Sequence, residues 1–302
     1  MMEAILSKHT SDGDIVQAEI VVAGGNKFPK SVEAFNMATK TWRPLPQMKE
    51  GRCGRSSAVY QDRMIVTGGR IVEELNLAQP KGHWIKSPLK LPFPLFQDHA
   101  CVVYQNRLLV IGGEFVGEAY DTILEFQLTP PYTSRLLTKM PRPICCHGAV
   151  IINDKIFIVG GSTTGWFKVK DATNAVLVFD LTTNTCTELE PLPYPVLYMA
   201  TVAWRDNVVL LGGDGDEGNT HNTVILYNVT TATHRKLPEM TKKRLGCTAV
   251  TIGDNIIVMG GFDETVTELN SVECYNFNTN TWTEFPAMTE ARAFATAVVK
   301  YL

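Results

Sequence analysis

His99, His147 and Cys247 each stand thirteen residues ahead of a Gly-Gly pair, so an internal periodicity gives them one shared structural place. Imidazole nitrogen and thiolate sulfur are the donors that hold zinc or copper, and three of them converging would make a metal centre. The other equivalents are Arg55 and Met199, which do not extend such a set, and no metal is expected. Cys145-Cys146 is a vicinal thiol pair, but its apolar surroundings read as the buried, reduced start of a strand. The run Asp214-Gly215-Asp216-Glu217-Gly218-Asn219 lacks the sixth-place glycine and distal Glu of a calcium loop, and reads as an acidic turn. No Gly-rich phosphate loop with its Lys and no G-x-S-x-G elbow occurs. Neither catalytic residues nor a cofactor are expected.

A second set of residues suits recognition. Cations recur at Arg52, Arg55, Arg70, Arg142, Lys243, Arg244 and Arg292. Aromatics interleave with them at Phe115, Trp166, Phe167, Tyr194, Tyr198 and Phe294. Arginine grips a carboxylate with two parallel hydrogen bonds, and an exposed ring adds rigid apolar area, which is how peptide hot spots are built. The competing reading makes Arg52, Arg244 and Arg292 structural, tied to nearby carbonyls or acids. Trp166-Phe167, on a long loop, is the best single candidate for partner contact.

What positions these residues is a repeat. A Gly-Gly pair ends a short apolar run at Gly24-Gly25, Gly68-Gly69, Gly112-Gly113, Gly160-Gly161, Gly212-Gly213 and Gly260-Gly261. The spacings are 44, 44, 48, 52 and 48 residues, and each unit consists of β-branched runs broken by turns. In each unit strand a is small and apolar, strand b runs into the glycines, strand c carries Phe35, Leu75, Phe126, Phe179, Tyr227 or Tyr275, and strand d follows. Trp42, Trp84 and Trp282 lie on strand d, and a Pro-rich stretch closes the unit. Four-stranded sheets buried on both faces lose polar/apolar alternation, which fits these near-continuous Val/Ile/Leu runs.

The Gly-Gly, the aromatic on c, the Trp seven residues later and the Met-x-x-x-Arg exit (Met48/Arg52, Met240/Arg244, Met288/Arg292) together resemble the kelch motif. Departures are Cys186 and His234 at the Trp position, and a lengthened c–d stretch ending at Trp84 and about Arg135. The resemblance implies an all-β, six-bladed propeller with four-stranded antiparallel blades. The carboxyl-terminal run Ala295–Val299 lacks a following strand b, and Glu19–Ala23 lacks a preceding strand a, so the two should complete one blade. The expected division is a short extension over 1–14 and a single propeller over 15–302.

With strands in the order a, b, c, d, the d–a and b–c connections share one face. The b–c segments vary most in length, so that face is where recognition is expected. Kelch-like substrate adaptors bind acidic or phosphorylated segments there, and the resemblance implies such a partner. The expected function is a protein-interaction module, as the substrate-recognition part of a ubiquitin ligase or a cytoskeletal or scaffold adaptor. The BTB and BACK segments of those adaptors are not seen ahead of the repeats. The alternative is a kelch-type sugar mutarotase or oxidase at the channel mouth. The copper oxidase needs a matched Tyr/His/Cys set that cannot be assembled.

Bulk properties agree. The net charge of −3 argues against nucleic acid or membrane surfaces as general partners. No run of 18 apolar residues occurs, and the start lacks the basic and apolar regions of a signal peptide. The seven cysteines include no C-x-x-C pair, which fits reduced thiols and a cytoplasmic location.

Overall fold

The structure is a computed structural model describing residues 17–51, 54, 56–68, 71–79, 82–90, 97–165, 171–215 and 218–302. Six four-stranded antiparallel sheets, each in the order a-b-c-d, form six blades. In blade 4 these strands are Gly148–Ile152, Lys155–Val159, Val176–Asp180 and Thr185–Glu188. The inner a strands neighbour one another around the centre, so the blades stand radially about a channel.

Ring closure follows the expectation. Thr296–Tyr301 pairs antiparallel with Ala18–Ala23, with Ile20 opposite Val299 and Ala18 opposite Tyr301. The last strand is therefore strand a of blade 1, and it hides an edge that would otherwise invite pairing with another chain.

Each apolar cluster spans two blades. Leu211, Val224 and Leu226 of blade 5 pack with Val258, Tyr275 and the partly buried Trp282 of blade 6. Burying one such large side chain contributes about 1.5–3 kcal/mol, which no isolated blade could collect. The strand-d tryptophans also tie blades by hydrogen bonds of 2.8 Å: the indole N–H groups of Trp42, Trp84 and Trp282 donate to the carbonyls of Pro286, Pro46 and Pro238. Where blade 5 has His234 opposite Tyr227, the Tyr227 hydroxyl donates to the Glu190 carbonyl at 2.8 Å instead. Blade 3 shows a small difference from expectation. Ser134 stands opposite Phe126, while Arg135 pairs with Glu125, whose carboxylate it shares with Arg107.

The glycine pairs have a specific task. A Cβ on Gly212 or Gly260 would collide with the carbonyl of Arg244 or Arg292 in the next blade's entry turn, and both glycines have φ of 65°. The second glycine then donates its N–H to that same carbonyl, at 2.8 Å from Gly213 to Arg244 and from Gly261 to Arg292. Ile144 and Val196 receive the same bond from Gly113 and Gly161. In blades 3 to 6 the motif therefore joins one blade to the next.

Candidate functional site

The two faces differ in kind. On one, the c–d turns of blades 1, 4, 5 and 6 repeat almost atom for atom, while those of blades 2 and 3 are longer. Asn36, Asp180, Asn228 and Asn276 each accept two backbone N–H groups two and three residues on. On the other, the b–c segments run from five residues in blade 2 (68–72) to sixteen in blade 4 (160–175).

At the centre of that second face the chain builds a closed ring of hydrogen bonds. Asp98 N–H donates to Gly54 O at 3.1 Å, Cys146 to Asp98 at 2.8 Å and Tyr198 to Cys146 at 3.0 Å. Gly246 donates to Tyr198 at 2.9 Å, Phe294 to Gly246 at 2.7 Å and Gly54 to Phe294 at 3.3 Å, closing the circle. All six residues have positive φ, between 52° and 65°. Two are glycines; for Asp98, Cys146, Tyr198 and Phe294 that conformation costs on the order of 1–3 kcal/mol each. The ring fixes the mouth of the channel, where a cavity of about 110 Å³ is lined by these six residues together with His99, His147, Met199, Cys247 and Ala295.

His99, His147 and Cys247 do therefore meet at one place. Among the described residues, however, no group of three or more His, Cys, Asp or Glu side chains is arranged to hold a metal ion. The His99 imidazole sits 2.7 Å from the Thr67 hydroxyl, and the Cys247 thiol donates to the Leu211 carbonyl. His147 is 8% exposed and neither of its ring nitrogens has a hydrogen-bond partner. Burial drives its pKa down to about 3, so it is neutral at pH 7. The vicinal thiols of Cys145 and Cys146 lie 3.6 Å apart, and burial pushes the Cys146 thiol up, away from thiolate reactivity.

Two of the proposed binding arginines are withdrawn from the surface. Arg244 is 0% exposed and Arg292 is 2% exposed. Arg244 donates to the Glu273 carboxylate at 2.7 Å and to the Gly260 carbonyl at 2.7 Å. Arg292 holds Glu33 at 2.9 Å, the Gly24 carbonyl at 2.6 Å and Glu290 at 3.0 Å. The glutamates' second oxygens accept backbone N–H groups of Thr241 and Thr289 in the same turns. A guanidinium so fully engaged has nothing left for a ligand. The structural reading of these two residues is the right one.

The sequence carried a signal for this. Glu33, Glu73 and Glu273 each precede the strand-c aromatic or Leu by two residues, in the blades entered by Arg292, Arg52 and Arg244. In blades 4 and 5 both members are apolar: Ile144 faces the cluster containing Leu177, and Val196 that containing Ile225. Glu73 accepts the backbone N–H groups of Lys49 and Glu50 in the turn carrying Arg52.

Of the remaining proposed contact residues, Tyr198 and Phe294 stand at the ring, with ring centroids 5.0 Å apart, and Phe262 packs 6.0 Å from Phe294. Tyr194 stacks 5.2 Å from His221 on blade 5, and Lys243 is exposed beside it in the next entry turn. Phe115 is half-buried in a two-stranded hairpin, Glu114–Phe115 with Glu118–Ala119. Arg142 lies toward the outer strand of blade 4 in a pair with Glu188. Arg52, Arg55, Arg70, Trp166 and Phe167 lie outside the described residues. Sequence reasoning overlooked Val116 and Val266. They are the most exposed large apolar residues described, at 71% and 73%, each with positive φ at the tip of a b–c loop. They belong to blades 3 and 6, which face each other across the ring.

The fold and its loop face thus define a closed six-bladed β-propeller. The KLHDC2/KLHL20/DRC7 Kelch-repeats domain model matches residues 92–300, and the chain belongs to that kelch-repeat family. It is also 30% identical over 88 residues to Kelch repeat and BTB domain-containing protein 12 of Danio rerio. That match takes in 28% of this chain and 14% of the relative's length. The solved structure of YjhT superposes with a TM-score of 0.73, covering 83% of this chain and 88% of its own, at 16% identity, which speaks to the fold. No helix is long and apolar enough to cross a membrane among the described residues.

Proposed function

We propose that this chain is a protein-interaction module that holds a peptide or protein segment on its d–a/b–c face. We place it in the cytoplasm, as the substrate-recognition part of a ubiquitin ligase or as a scaffold adaptor. The contrast between the two faces carries this reading. Short, internally capped turns recur in four blades on one side; on the other, uneven loops surround a ring of residues held at positive φ, with exposed valines at two loop tips. The family supports a binding role, since kelch propellers commonly serve as interaction modules. An acidic or phosphorylated segment is the form implied by the likeness to substrate adaptors. Its grip would fall to exposed cations such as Lys242 and Lys243, since Arg244 and Arg292 are occupied.

The test is affinity capture with three forms of the full chain: wild type, Lys243→Glu/Val266→Asp on the loop face, and Asn278→Lys on a c–d turn. The loop-face variant should lose the specific partner and the turn variant should keep it. Retention by the first and loss by the second would place binding on the wrong side.

A further inference from the structure

We propose that Cys145 and Cys146 form a chelating dithiol that takes one soft, three-coordinate metalloid, an arsenic(III) compound, at the rim of the channel mouth. The site is independent of whatever partner the loop face holds. The two sulfurs lie 3.6 Å apart, with the Cys146 thiol donating to the Cys145 sulfur. Cys145 is fully buried, and its thiol points to the Thr164 carbonyl at 3.4 Å and the Ser162 carbonyl at 3.7 Å. Cys146 is partly exposed and lines the cavity of about 110 Å³, together with His147 and Tyr198.

The separation decides what the pair can do. A direct bond needs the sulfurs at about 2.0 Å, so they would have to close substantially. The backbone resists that movement. Cys145 exchanges two hydrogen bonds with Ser162, at 2.9 and 2.8 Å, and Cys146 donates to Asp98 and accepts from Tyr198 in the closed ring. Adjacent Cα atoms across a trans peptide are also only about 3.8 Å apart, short of the roughly 4.4–6.8 Å that disulfides usually span. One bridging atom asks for far less. Two sulfurs held about 2.3 Å from a shared soft centre at a tetrahedral angle lie about 3.8 Å apart, close to the separation found.

Charge and valence select the class of ligand. A divalent metal would need both thiols ionised in a buried place, and burial pushes the Cys146 thiol up. It would also need further ligands, and no group of three or more His, Cys, Asp or Glu side chains among the described residues supplies them. Arsenic(III) makes three bonds, brings its own third substituent and condenses with neutral thiols. In that step two S–H bonds and the As=O bond of R–As=O break, and two As–S bonds form. Both thiol protons leave with the oxygen as one water. Arsenic stays trivalent, neither sulfur is oxidised, and no buried charge is created. The cavity beside Cys146 gives the third substituent its space.

The experiment titrates phenylarsine oxide onto the reduced full chain and reads uptake by native mass spectrometry. Wild type should take up one phenylarsenic group, which excess glutathione (a monothiol) leaves in place and 2,3-dimercaptopropanol (a dithiol) removes. Proteolysis should find the group on the peptide spanning 140–155, which carries both cysteines. Cys145→Ser and Cys146→Ser should each weaken uptake roughly a hundredfold or more, the scale on which a second linked contact strengthens a first. Cys247→Ser, which alters another thiol of the same cavity, should leave uptake unchanged. Thermal unfolding verifies each variant; should a Ser variant melt early, the peptide map and the thiol competition on wild type decide. No uptake, release by glutathione, a group mapped to another peptide, or uptake undiminished in both Ser variants would overturn the site.

Discussion

His147 illustrates how burial alone can set the protonation state of a single side chain. Its unfolded pKa is near 6.5, while burial holds the folded value at about 3. Between those values the unfolded chain binds a proton that the folded chain refuses. The favourable contribution is therefore complete above about pH 6.5 and is lost as pH falls toward 3. Comparing thermal midpoints of wild type and His147→Gln across this range should show wild type losing more stability on acidification. Parallel curves would mean that the ring is solvated in the folded state. Position 98 and its equivalents were harder to read. One residue ahead of the His99 and His147 places, the chain has Gly54, Asp98, Cys146, Tyr198, Gly246 and Phe294. Side chains so different hide a common requirement, because what repeats is a backbone conformation and an N–H. Two glycines in six were the available clue.

At the scale of the element, entry turn and strand c form a matched unit. Blades 1 and 6 fill it with an Arg–Glu pair, and blades 4 and 5 with two aliphatic residues. Removing one partner of a buried pair strands a charge and costs about 3–5 kcal/mol, whereas replacing both by well-packed apolar residues is often neutral. Arg244→Ile alone should thus destabilise strongly, and Arg244→Ile/Glu273→Leu should recover most of the loss, as read by denaturant unfolding. Equal losses from the single and double variants would contradict the matched-unit account. The sequence displayed the strands, their order and the inter-blade tryptophans plainly, because Gly-Gly, aromatic and Trp recur in phase. It displayed the arginines equally plainly but not their burial. A guanidinium that closes a turn and one that grips a ligand look alike until the glutamate two residues before the strand-c aromatic is recognised as its partner. Val116 and Val266 gave no periodic signal, since b–c tips lie outside the repeat.

Across the whole molecule, stability and recognition both come from the closed ring. Every apolar cluster is shared between neighbouring blades, and Thr296–Tyr301 supplies the strand that joins the ends. A chain truncated after Ala295 exposes strand b of blade 1 and part of the blade 6 cluster. It should be insoluble or rapidly degraded in limited proteolysis; a truncated chain that melts like the full one would show that closure is dispensable. The rigid ring frees one rim of loops to vary, and the central claim is that this rim is where a partner sits. The most direct measurement is hydrogen exchange on the full chain with and without a captured partner. Protection should appear at the d–a and b–c connections around Tyr198, Val266 and Phe294. Protection confined to the c–d turns at 228–233 and 276–281 would contradict the account.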